Sequence, residues 1–162
     1  MLYVVLILVV MFVEYYMSIR WFPIYYNFGI PIYSKRLIGK KSILSEIDDD
    51  YLNITSKSFA LMFVTPLIFK KITAGQWALR QKSFRTATMH GNLFIEQETS
   101  NLRLVGFINW WILFLIGVAI QISLQHKEFF IIVFIAIMGL LFYFLEKHMC
   151  DKLVNYLSEK EL

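Results

Sequence analysis

Two long uncharged stretches lie only four residues apart, and few features narrow the choice of fold more. Residues 104–124, with VGFINWWILFLIGVAIQIS at their heart, hold no charged side chain, and FFIIVFIAIMGLLFYFL at residues 129–145 is bracketed by Glu128 and Glu146. A helix rises about 1.5 Å per residue, so roughly 20 apolar residues cross the roughly 30 Å hydrocarbon layer of a bilayer. Gln125-His126-Lys127-Glu128 between them is short enough to impose an antiparallel helical hairpin. Trp110 and Trp111, near one end of the first stretch, suit a membrane–water interface. Measured from the turn, Gly117 and Ala136 come level on facing helices, where small side chains permit close approach.

A third apolar stretch runs through residues 1–19, LYVVLILVVMFV and on past Glu14 to Ile19. A cleaved signal peptide would carry a basic leader and a small-x-small cleavage site. Here the apolar core follows Met-Leu-Tyr and gives way to Glu14-Tyr15-Tyr16-Met17, so residues 1–19 read as an uncleaved anchor. Composition agrees: 58% of the chain is hydrophobic and 17% charged, against roughly 45–50% and 25% in soluble domains. That excludes intrinsic disorder. One cysteine excludes an internal disulfide scaffold and a four-cysteine zinc site.

Charge placement orients the spans. Twelve of the 16 basic residues fall between Arg20 and Arg103, one (Lys127) in the hairpin turn and three after residue 145. Basic residues mark cytoplasmic loops. Residues 20–103 and 146–162 are therefore expected in the cytoplasm, with the N-terminus and the 125–128 turn outside a bacterial-type inner (plasma) membrane. Residues 20–103 balance twelve basic against six acidic side chains, a net +6.

This middle segment reads as β-rich. HGNLFIEQ (90–97) and NLRLVGFI (101–108) flank the polar turn Glu98-Thr99-Ser100, with Leu93 and Ile95 alternating on one arm and Leu102 and Leu104 on the other. KSFALMFV (57–64) and QWALRQKSF (76–84) are further strand expectations, IPIY (30–33) and YLNIT (51–55) weaker ones, and Asp48-Asp49-Asp50 reads as a solvated turn. Beyond the third span, Leu145, Met149, Leu153 and Leu157 recur every fourth residue, the mark of a helix with one apolar face. The expected fold class is therefore an α+β membrane protein: three transmembrane helices (1–19, 104–124, 129–145), a small antiparallel β-rich cytoplasmic domain (20–103), and a cytoplasmic C-terminal helix (146–162).

Chemistry is harder to find. Glu14 is the sharpest candidate, because a carboxylate in an apolar span often marks an ion path. Asn109 is expected at the same depth, so Glu14 and Asn109 form an expected intramembrane polar pair. His148-Met149-Cys150-Asp151 places only residues 148 and 151 on one helical face, too few ligands for a structural zinc site; His90 and His126 look isolated. The chain has no Gly-x-Ser-x-Gly, Walker A, dinucleotide or His-Glu-x-x-His motif. No catalytic, metal or cofactor residue is assigned, and no nucleic-acid partner is expected. Lys35, Arg36, Lys40 and Lys41, close to the first span, are the expected contacts to anionic lipid headgroups. Together these features describe a membrane accessory or interaction protein (regulator, assembly factor or immunity-type protein) with lipids and a protein as partners, and no enzyme. The alternative is a small transporter or channel subunit using Glu14 in an oligomer.

Overall fold

A computed structural model describes residues 2–37, 48–58, 65–83, 88–96, 101–126 and 129–159. In chain order its elements are α1 (Leu2–Ile19), α2 (Pro23–Asn27), β1 (Pro31–Leu37), α3 (Asp49–Ser58), β2 (Leu67–Thr73), β3 (Gln76–Gln81), β4 (Met89–Glu96), β5 (Asn101–Ile108), α4 (Trp110–His126) and α5 (Phe130–Glu159). The class is α+β, with a five-stranded antiparallel sheet in the order β1-β5-β4-β3-β2.

Strands β2 to β5 form a meander, and β1 closes the far edge beside β5. Strands β2 and β3 turn over Ala74 and Gly75, where Gly75 at φ 81° adopts a conformation side-chain-bearing residues avoid. Between β4 and β5 the register sets Leu93 opposite Leu104 and Ile95 opposite Leu102, so both apolar sets share one face. On that face Gly91 sits opposite Gly106, and a Cβ on Gly91 would lie 2.0 Å from the Val105 carbonyl oxygen.

Two helices cover the apolar face. Leu52 of α3 and Met149, Leu153, Val154 and Leu157 of α5 join Trp77, Leu79, Leu93 and Leu104 in one core. Each such side chain withdrawn from water contributes roughly 1.5–3 kcal/mol. The four-residue stripe from Leu145 to Leu157 is the face of α5 that meets the sheet. Tyr33 Oη, donating to Asp151 Oδ1 at 2.9 Å, and Lys35 Nζ, at 3.2 Å from Asp151 Oδ1 and 3.1 Å from Asn155 Oδ1, tie the same helix to β1. Glu146, fully buried, accepts from Gln81 Nε2, from Thr88 Oγ1 and from Thr88 N (2.8 Å). On the sheet's other face, Tyr25 and Tyr26 of α2 pack on Ala78 with Met17, Trp21 and Ile72.

The structure corrects several sequence expectations. YLNIT (51–55) is helical, within α3. Asp48 Oδ1 accepts from Tyr51 N at 2.7 Å, so the aspartate run is a helix cap and an acidic first turn rather than a free turn. Lys57 and Ser58 end that helix, and residues 59–64 and 98–100 lie outside the described residues. Residues 104–108, counted above with the second apolar span, belong to β5, where adjacent Leu104 and Val105 are buried on opposite faces of the sheet; α4 starts at Trp110. Gly117 is no packing point. A Cβ there would meet nothing within 4 Å, because the buried positions of α4 are Ile112, Val118, Ala119 and Ser123. Ala136 is likewise exposed and lines an apolar groove of about 650 Å³ between α4 and α5. Finally, three membrane spans exceed what the helices themselves establish. Among the described residues one helix, Ile132–Ser158, is long and apolar enough to cross a membrane, and Val5–Ile19 and Trp110–His126 are shorter apolar helices.

Candidate functional site

The most concentrated buried polar chemistry lies where α1, α2, β4 and the start of α4 meet. A helix N-terminus leaves backbone N–H groups without intrahelical acceptors. In α4 the residue before the helix is Asn109, whose side chain turns away to His90 and Tyr25. The carboxylate of Glu14, eleven residues before Tyr25 on a different helix, takes over as cap. Its Oε1 accepts from Trp110 N at 2.9 Å and its Oε2 from Trp111 N at 2.7 Å. A negative charge there also complements the positive end of the α4 dipole.

Tyr25 connects this cap to the sheet. Its hydroxyl donates to Glu14 Oε1 at 2.9 Å and lies 3.3 Å from Asn109 Oδ1, so Glu14 is the nearer acceptor of its single proton. Asn109 Oδ1 is also 2.7 Å from His90 Nδ1, which with oxygen as acceptor carries the imidazole proton. The His90 ring stacks on Tyr25 at 4.0 Å between centroids. Burial holds His90 below the usual histidine range, with the Asn109 bond opposing that shift, and pushes the Tyr25 and Tyr26 hydroxyls up, Tyr26 to about 12. Both tyrosines therefore stay protonated donors. Glu14 and Asn109 thus meet at one hydroxyl. Tyr25 stands between them.

A strained turn positions Tyr25. At the end of α1, Phe22 N donates to Met17 O (3.2 Å) and Trp21 N to Ser18 O (3.3 Å), the double bond of a Schellman cap. The left-handed position of such a cap favours glycine, yet it is held by Trp21 at φ 57°, at a cost of roughly 1–2 kcal/mol. Its ring is anchored instead, stacked on Tyr26 at 5.4 Å. Pro23 then starts α2 at a position suited to its missing N–H. Tyr26 Oη donates to Ser18 O (2.9 Å), and Asn92 Nδ2 donates to Tyr26 O (2.6 Å) and Asn27 Oδ1 (2.7 Å), so α2 is held between α1 and the sheet.

The basic residues assigned above to lipid headgroups are placed differently. Lys35 is bound to Asp151 and Asn155, and Arg36 pairs with Glu96 at 2.9 Å. Lys40 and Lys41 lie outside the described residues. Sequence reasoning missed Tyr25 and His90 as members of the Glu14 cluster; the Pro23 start signal for a short helix was the available hint. Among the described residues no three His, Cys, Asp or Glu side chains gather as a metal site would need. Chemically the cluster is a lock: its carboxylate accepts three hydrogen bonds from donors on two elements. No family model, curated protein or solved structure matches the chain.

Proposed function

We propose that the chain is an integral protein of a bacterial-type inner membrane, crossing it three times through α1, α4 and the first half of α5, and acting through contacts with lipids and a protein partner. In this arrangement the N-terminus and the α4–α5 turn are outside, and the sheet and the end of α5 are cytoplasmic. The observation that carries the reading is the distribution of exposed apolar side chains. Phe12 of α1 is 69% exposed, and along α5 exposure runs from 77% at Phe130 to 59% at Phe144 before Leu153 falls to 1% against the sheet. Apolar surface on that scale needs lipid or a partner to cover it. At 18 and 17 residues, α1 and α4 sit at the lower bound of the roughly 17–25 residues that span a bilayer. The twelve basic residues between Arg20 and Arg103 support the orientation.

An accessory role, rather than catalysis or transport, is supported by how the buried carboxylates are used. Glu14 caps α4 and Glu146 fastens α5 to β3 and the start of β4. In a Cys150→Ser background, Gln125→Cys should react with an impermeant maleimide in intact cells, and Lys57→Cys only after permeabilisation. Reversed labelling overturns the orientation, and release of the protein by alkaline carbonate overturns the spans. Crosslinking in cells followed by mass spectrometry tests the role. One abundant distinct partner supports it, whereas recovery of the protein's own oligomers alone brings the transport alternative forward.

A further inference from the structure

We propose that Lys70 and Arg80, grouped around Trp21 at the inner end of α1, hold the phosphodiester headgroup of an anionic phospholipid of the cytoplasmic leaflet. The site rests on the membrane placement of α1 proposed above.

Three observations converge on it. The first is geometric. Arg80 Cζ lies 4.9 Å and Lys70 Nζ 5.9 Å from the Trp21 ring centroid, whereas the guanidinium of the preceding Arg20 turns to Tyr16. The register pairs Ile68 with Arg80 and Lys70 with Ala78, so Lys70 and Arg80 are diagonal neighbours on the α2 face of the sheet. The second is charge. Among the described residues the ion pairs use Lys35 and Arg36, and no carboxylate pairs with Lys70 or Arg80. Arg80 donates from one terminal nitrogen to Gln81 O at 3.1 Å, while its Nε is buried without a partner.

The third is the apolar surface beside the cations. Helix α2 buries Tyr25 and Tyr26 against the sheet and turns Ile24, 68% exposed, outward, with Phe22 and Phe28 exposed at its two ends. Free phosphate or nucleic acid would leave that apolar edge unexplained. A phospholipid satisfies both halves, acyl chains against Ile24 and Phe28 and phosphate among the cations. The left-handed turn that carries Trp21 places the aromatic ring at the boundary between the two.

Electron spin resonance on the full-length protein, reconstituted in phosphatidylcholine vesicles with trace spin-labelled phosphatidylglycerol or phosphatidylcholine, tests the site. The wild-type protein should restrict phosphatidylglycerol more strongly than phosphatidylcholine, by roughly fivefold per cation at the site. Lys70→Gln should weaken the preference and K70Q/R80Q should remove it. In case the double variant fails to reconstitute, the wild-type preference should also fade in about 1 M salt, where the screening length falls to about 3 Å. Equal restriction of the two lipids by the wild-type protein, or a preference that survives in K70Q/R80Q, overturns the site while leaving the spans standing. Absence of any restricted component, for either lipid, overturns the membrane placement itself.

Discussion

Replacing Glu14 with glutamine should destabilise the protein without removing a catalytic group. In the folded chain the carboxylate, 3% exposed, accepts from Tyr25 Oη, Trp110 N and Trp111 N. Glutamine keeps one acceptor oxygen for Tyr25 and Trp110, but turns an NH2 group toward Trp111 N–H, donor against donor. Hydrogen bonds to charged groups contribute roughly 1.5–3 kcal/mol each, and the charge at the helix N-terminus adds about 0.5–2. The expected loss for Glu14→Gln is therefore about 2–5 kcal/mol. For a chain of this size that lowers Tm by about 2–4 °C per kcal/mol. Glu14→Ala leaves the Trp110 and Trp111 N–H groups unmatched, about 1–3 kcal/mol each, and the Tyr25 hydroxyl only its 3.3 Å contact with Asn109, a large share of a typical total of about 5–15. That variant should fail to accumulate. Tryptophan-fluorescence melting of the detergent-solubilised full-length protein reads the first effect, and immunoblotting of membranes the second. A Glu14→Gln protein that melts with the wild type, or normal levels of Glu14→Ala, refutes the capping argument. If ion flux is also lost at normal levels, the carboxylate belongs to a transport path instead.

Gly91→Ala should be among the most damaging small substitutions, costing about 3 kcal/mol or more, because the added methyl meets the rigid Val105 carbonyl rather than a movable side chain. Wild-type protease resistance in that variant would contradict the β4–β5 register. Gly117→Leu, by contrast, should leave protease resistance and membrane levels unchanged, since space surrounds the Cα; loosening of the α4–α5 hairpin would contradict the described packing. His90 predicts a pH dependence. Its native pKa lies below the ordinary 6.5, so its contribution is level above about pH 6.5 and declines below it, as the unfolded chain takes up a proton that the folded one refuses. The decline approaches about 1.4 kcal/mol per pH unit at most. Melting from about pH 7.5 to about pH 5.5 should show a steeper drop for the wild type than for His90→Gln, and equal slopes would refute it.

What could be read from the residues followed the range of the physics. Alternation is local, so Leu93 and Ile95 facing Leu102 and Leu104 was legible, as was the apolar stripe from Leu145 to Leu157. The α3 region was not, because the Asp48 cap that overrides the strand-like YLNIT looks like any polar turn until the helix behind it is known. Charge partners were out of reach altogether. Arg36 and Glu96 stand 60 positions apart and Lys35 and Asp151 116, and nothing in a basic dipeptide reveals that it is already neutralised. Glu14 was conspicuous, and its side chain and that of Asn109 both lie against the Tyr25 hydroxyl. Tyr25 between them depended on a tryptophan accepting a glycine's backbone conformation, which no pattern of residue types announces.

The core of the sheet is completed by residues that are synthesised well after its strands. Strand β5 ends at Ile108, yet the apolar face it shares with β3 and β4 is covered by Met149, Leu153 and Leu157. At about 5–20 residues per second, roughly 50 further residues take about 2–10 s to emerge. Throughout that interval α3 alone covers the apolar face, and the part that α5 will meet stays bare. Under the membrane placement proposed above, α4 and α5 must enter the bilayer before the covering turns of α5 can come back to the sheet. Assembly of the aqueous layer is therefore timed by insertion of the hairpin, and a delay there would leave the sheet open to chaperones and proteases.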